Sequence, residues 1–336
     1  MNCHKLTGLI AGLLALSACG GGGDSSSGGG DPIGGGGGTP TPSPTATPTP
    51  GPSYSTYSAL SGDREFALAC QGVIQTPGQA FPIQAVPFGS DVQTLSYDTS
   101  EQSWLIKGLG IEQLFTPEDI FTPETPFPTV EEQYLVMVNN QPVASMNILA
   151  PEPGGMALEY ARNLTYAIRN EFQGNNFENG NCVFGVPTLP DDQPNATSVT
   201  YADYATIGSI IYVYDDGTFA AYRISGSEEA ISVNLNTFAV DISMHLIGTL
   251  DDNSTSGAGS AAEATLDLGT FTANGIQIDD EPYGIGGYFD APNPSAEMPF
   301  QGWFFGPQGK EIAFSYSKQM ADGYRSFGAV NLVARR

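Results

Sequence analysis

From Phe238 to Leu250 apolar and polar positions alternate: Phe238, Val240, Ile242, Met244, Leu246 and Leu250 fall on one side, Asp241, Ser243 and His245 on the other. Successive side chains of a strand point to opposite faces, so this stretch predicts a strand with one wall in a core and the other in water. Upstream, Ile210–Tyr214 and Thr218–Tyr222 flank Asp215-Asp216-Gly217, and Asp-Gly between two strand-like runs predicts a hairpin. Tyr201 and Tyr204 are placed on the first strand of this half, after a turn marked by Asp191, Asp192 and Pro194. Residues 251–264 read as a polar Gly/Ser/Ala loop. Thr265–Ala273, Ile285–Phe289, the run from Gln301 to Tyr316 and Phe327–Ala334 supply further strands, the last pair separated by a polar turn from Gln319 to Gly323. Seven or eight short strands at this spacing predict an antiparallel barrel, with the final strand sealing a sheet edge.

The pattern before it is also strand-like. Arg64–Cys70 leads into Val73-Ile74, Trp104-Leu105-Ile106 ends at Gly108, and Tyr134–Val138 stops at Asn139-Asn140, a turn pair. Phe115 to Pro128 reads as a long irregular loop, because Pro117, Pro123, Pro126 and Pro128 exclude helix and central strand. Its phenylalanines Phe115, Phe121 and Phe127 suit either partner binding or pinning the loop to its own core. Leu158–Ile168 fits helix or strand, and Tyr160, Arg162 and Tyr166 favour strand.

Three stretches carry a family resemblance: Gly302-Trp303-Phe304-Phe305-Gly306-Pro307 with Lys310-Glu311-Ile312 and Phe327-Gly328-Ala329; Phe184-Gly185-Val186-Pro187-Thr188, read as a connector starting from Cys182; and Val240-Asp241-Ile242 running to Gly248-Thr249-Leu250. Together they resemble the barrel domains of transferrin-binding protein B and its relatives, of the slam-dependent type, which are lipid-anchored bacterial surface proteins. Gln308-Gly309-Lys310 stands where that family has small or acidic residues, and Ala313-Phe314 where it has a glycine pair. The resemblance covers residues 182–336, while 54–181 corresponds to the family's handle domain in position only. It implies an all-β protein, with a β-rich handle-like domain over 54–190 and an eight-stranded antiparallel β-barrel over 191–336.

Ahead of these, residues 1–19 read as a processing signal. Lys5 gives a short positive region, Leu9–Leu16 an apolar core, and Leu16-Ser17-Ala18-Cys19 resembles a lipobox, which makes Cys19 the acylated first residue of the mature chain. That apolar run is too short to span a bilayer. A plain secretory signal is the rival reading. Gly20, in place of an aspartate, favours delivery to the outer membrane over retention at the inner one. Residues 20–53 are glycine tracts and a Thr-Pro repeat with nothing to offset the entropy of ordering. Thr39–Pro52 as polyproline II would hold a domain about 40 Å from its anchor. The bilayer, through Cys19, is thus the first expected partner.

Composition narrows the function. The net charge of −25 becomes −26 once Lys5 is removed with the signal (−25 − 1), which argues against nucleic acid and suits a basic protein partner or calcium. With Cys3 removed and Cys19 acylated, Cys70 and Cys182 remain. In an exported protein they read as a disulfide, with two buried thiols as the alternative and metal binding the weaker one. His245 is the one histidine left in the mature chain and sits on the polar face of its strand, so neither a triad nor a histidine metal site is expected. No Gly-x-Ser-x-Gly elbow occurs, and Asp191-Asp192, Asp215-Asp216, Asp251-Asp252 and Asp279-Asp280-Glu281 fall in turns, where aspartate bonds its own backbone. The expectation is a binding protein, not an enzyme, with no cofactor and no metal ligands assigned. By resemblance its ligand is an iron source, haem or a host protein, with an outer-membrane receptor as a further partner. The alternative is a structural or adhesive envelope lipoprotein.

Overall fold

Strands fill most of the computed structural model, which describes residues 53–75, 84–87, 93–108, 110–123, 129–170, 176–192, 196–214, 218–234, 236–251, 262–278, 284–290, 298–318 and 326–336. The signal, the lipobox with Cys19 and the linker up to residue 52 lie outside the described residues, as do Phe127, the Asp215–Gly217 turn, Asp279–Glu281 and the Gln319–Gly323 turn. Residues 50–336 cluster as one unit.

That unit holds two antiparallel sheets. The first contains β1 (Arg64–Gln75), β2 (Gln84–Pro87), β3 (Gln93–Asp98), β4 (Ser103–Gly108), β5 (Ile111–Phe115), β6 (Val130–Val138), β7 (Gln141–Leu149), β8 (Ala161–Asn170) and β9 (Asn176–Gly185). Their order is β5-β4-β3-β1-β9-β8-β7-β6, with β2 beside β1. Asn139 and Asn140 turn β6 into β7 at φ 50° and 60°, the left-handed region that a two-residue hairpin loop requires and asparagine tolerates. The sheet curls until its edges approach. Ile120, just after β5, bridges to Tyr134 on β6, and the Phe121 N–H donates to the Gln133 carbonyl at 2.9 Å. Leu95, Trp104, Ile106, Phe115, Met146 and Phe184 fill the hollow.

The second sheet contains β10 (Ser198–Tyr201), β11 (Asp203–Val213), β12 (Phe219–Asn234), β13 (Ala239–Leu250), β14 (Thr265–Gln277), β15 (Gly284–Tyr288), β16 (Pro299–Phe305), β17 (Glu311–Lys318) and β18 (Ser326–Arg335). Eight of them run β14-β13-β12-β11-β18-β17-β16-β15, with β10 beside β12. β18 is paired on both sides, with β11 from Asp203↔Arg335 to Tyr212↔Ser326 and with β17. The seam falls instead between β14 and β15, where Thr272 and Asp290 form a single bridge. The result is a nearly closed eight-stranded barrel. Val240, Ile242, Met244 and Leu246 point into its core beside Phe271, Phe300 and Phe314.

All eight residues of β17 are buried, because it is covered on both faces. Ile312, Phe314 and Tyr316 enter the barrel core. Ala313 joins Phe305 and Val333 against Ala69, Ala161 and Val183 of the first sheet. Small side chains on that outer face let two sheets approach closely.

Several expectations need correction. Phe238 is not on the core face of β13: it sits in the preceding turn at φ 49° and is 37% exposed. Tyr201 and Tyr204 belong to two strands, β10 and β11, split at Ala202. Phe115 ends β5 and is fully buried, so the irregular segment starts after it. Cys182–Gly185 is the end of β9, and only residues from Val186 onward act as connector. Leu158–Ile168 resolves to strand from Ala161, with Leu158 and Tyr160 ahead of it.

Candidate functional site

The closing motif folds into the joint between the two sheets. Phe304 faces the barrel core and Phe305 the joint, as alternation along β16 requires. Gly306 then takes φ 71°, and a Cβ there would lie 2.4 Å from the Tyr160 ring. Gly302 crosses β17 so closely that a Cβ would meet the Ala313 carbonyl at 2.1 Å. The Trp303 and Phe305 rings meet edge-on at 6.4 Å. Pro307 opens a 3-10 turn through Gly309, whose carbonyl accepts from the Tyr201 hydroxyl at 2.6 Å. On β18, Phe327 lies opposite Ile211, Gly328 opposite Ile210 and Ala329 opposite Ser209. The connector is bound into the same place: Thr188 N–H donates to the Phe304 carbonyl, its hydroxyl to the Gly306 carbonyl, and Gly306 N–H to the Val186 carbonyl.

Glu311 is the centre of this joint. Its Oε1 accepts the Glu159 N–H at 2.6 Å, and its Oε2 accepts those of Tyr160 at 3.0 Å and Ala161 at 2.8 Å. Burial pushes its carboxyl above the ordinary glutamate range, against the pull of these three N–H groups and of Lys310. A few residues away the disulfide joins Cys70 on β1 to Cys182 directly opposite on β9, with Cα atoms 4.0 Å apart. The carbonyl of Cys182 accepts from Asn331 of β18 at 2.8 Å.

His245 lies on the barrel exterior, its Nε2 2.9 Å from Asp267 of β14. Among the described residues no group of three or more His, Cys, Asp or Glu is placed to hold a metal ion. Asp192 accepts the Gln308 N–H at 3.0 Å, a contact with the 3-10 turn 116 residues further on and not with its own local backbone.

A concave site does form at the seam of the first sheet. A cleft of about 480 Å³ opens between the segment after β5 and the edge strand β6, lined by Tyr97, Ile120, Phe121, Glu131, Glu132 and Tyr134 among others, a size that suits a ligand group. Ile120 is 57% and Phe121 42% exposed at its lip. The two acids differ in setting. Glu131 is held by Arg162, whose Nε and Nη2 donate to its two oxygens at 2.7 and 3.0 Å. Glu132 receives neutral donors on one oxygen: Trp104 Nε1 at 2.8 Å and the Tyr134 hydroxyl at 2.7 Å, both to Oε2. Burial, reinforced by Glu132, pushes the Tyr134 phenol far up, so it keeps its proton as the donor. Arg162 also donates to the Leu158 and Ala161 carbonyls, so one side chain ties the cleft wall to the segment that Glu311 grips.

Motif and composition single out neither Glu131 nor Glu132. The available signal is register: in β6, Glu132 shares a face with Tyr134, so an acid stands on the core-facing side of a strand.

The fold and joint define an all-β protein whose nearly closed barrel is clasped to a second curled sheet, and structures of transferrin-binding protein B are among the solved structures it is similar to. A double mutant of that protein from Haemophilus parasuis Hp5 shares 13% identity over 74% of this chain and 52% of its own, with a TM-score of 0.35. Isotype 1 from serogroup B Neisseria meningitidis shares 15% over 80% and 43%, with a TM-score of 0.39. HpuA from Kingella denitrificans, in complex with human haemoglobin, shares 13% over 82% and 87%, with a TM-score of 0.33. The likeness is one of fold, and the chain spans about half the length of the first two. No family model and no curated protein matches the sequence.

Proposed function

We propose that this is an outer-membrane lipoprotein, anchored through acylated Cys19 and exposed at the cell surface, that binds a protein ligand through the seam of its first sheet. The observation that carries the reading is the cleft with its exposed lip of Ile120 and Phe121. Large apolar side chains placed together at the mouth of a concave, partly polar site favour association, and a protein core would otherwise have covered them. The resemblance of the closing motif makes an iron-carrying host protein the first ligand class to try, and haem the second. The Thr-Pro tract serves as a spacer between bilayer and ligand.

The test is external protease on intact cells, followed by capture from serum on the purified full chain. The expected result is cleavage without lysis, saturable capture of a serum protein, and loss of that capture in the Ile120→Ser/Phe121→Ser variant. Protection of the chain in intact cells, or capture indifferent to the double substitution, overturns the proposal and favours the structural or adhesive alternative.

A further inference from the structure

The two acids of the cleft are adjacent in sequence but electrostatically unlike. Glu131 has its counter-ion in Arg162. Glu132 is oriented by an indole and a phenol, which fix one oxygen while leaving the negative charge intact. Arg64 stacks on Tyr97 at 4.6 Å and on Trp104 at 5.8 Å, and among the described residues Glu132 forms no ion pair. A half-buried carboxylate held rigid by neutral donors, beside an apolar lip, is the arrangement expected of a preorganised acceptor for a cation.

We infer that Glu132 anchors a subsite for one arginine or lysine side chain, carried next to apolar residues on a segment of a protein ligand. This rests on the reading of the seam as a binding surface and names the chemistry it selects. The occupant follows from the site: its carboxylate takes the cationic head, Tyr97 and Tyr134 border the aliphatic stem, and Ile120 and Phe121 cover the apolar neighbours. A chain of net charge −25 also draws basic partners toward it over distance.

The experiment uses the full chain and an array of ten-residue synthetic peptides with a central arginine, lysine, citrulline or norleucine between leucine and phenylalanine. Arginine and lysine peptides are expected to bind saturably. Citrulline, which keeps the shape and loses the charge, should bind about tenfold more weakly, the effect of a partly desolvated charge contact. Glu132→Gln retains an acceptor for Trp104 and Tyr134, so it should keep the wild-type thermal midpoint while erasing the preference for charge. Phe121→Ser should weaken all peptides alike and leave that preference in place. Equal binding of citrulline peptides, a charge preference that survives Glu132→Gln, or no peptide binding at all overturns the inference. Competition by free arginine amide as strong as by the peptides overturns it too, in favour of a small cationic ligand. If serum capture persists while Glu132 makes no difference, this inference falls alone; if capture also ignores Ile120 and Phe121, the binding-surface reading falls with it.

Discussion

Glu311 holds three consecutive backbone N–H groups from across the joint, and the two on the buried residues Tyr160 and Ala161 lose their acceptor inside the joint when it is removed. Glu311→Ala is therefore expected to cost roughly 3 kcal/mol or more, and Glu311→Gln less, since its amide oxygen still accepts while its NH₂ opposes a donor. Urea unfolding of the three proteins measures this. Lys318 poses the opposite problem. It is buried over the Phe271 ring, and burial lowers its pKa from 10.5 to about 8. A depressed lysine binds its proton less tightly folded than unfolded, so its penalty is full below about pH 8 and fades as pH rises toward 10.5. Lys318→Met should raise the thermal midpoint at pH 7, and the gap to wild type should close between pH 8 and 10.5. A gap that is flat with pH would contradict this.

Among the elements, the turn from Gly306 to Gly309 shows why these glycines sit where they do. Gly306→Ala meets both a backbone region closed to L-residues and the Tyr160 ring, and should cost about 2–4 kcal/mol. Gly110 is the control: at φ 83°, with nothing within 4 Å of where a methyl would sit, its alanine variant should lose only the backbone part. Chemical denaturation of both variants separates clash from strain. The disulfide pins β1 to β9 across a separation of 112 residues, so its reduction should lower stability by about 4–5 kcal/mol, read as a fall in thermal midpoint with dithiothreitol.

How much of each element is legible in the chain tracks how local its signal is. The alternation of Val240 to Leu246, the Asn139-Asn140 turn and the closing motif are short-range patterns, and each can be read directly. Alternation misplaces Phe238 because it does not show where a turn begins. Phe115, the last residue of β5, is drawn into the irregular stretch by the prolines that follow it. The cleft is invisible because it depends on β5 and β6 meeting after the sheet curls, and no spacing along the chain encodes that meeting.

For the whole molecule, the joint makes two sheets depend on one another. β17 is covered on both faces, and Phe305, Ala313 and Val333 lose their cover if the first sheet is absent. A fragment spanning residues 191–336 is therefore expected to be molten or to aggregate, and the intact chain to unfold in a single transition followed alike by fluorescence and circular dichroism. Two resolved transitions would mean that the sheets fold independently.

The pairing of β11 with β18 also sets a timetable. Asp203 finds its partner in Arg335, and the amides of Glu159 to Ala161 find theirs in Glu311. A nascent chain emerging N-terminus first cannot complete either contact until the far segment has been made. The clasp between the two sheets is thus the last part of the molecule that can form, since it waits on strands at the far end of the sequence.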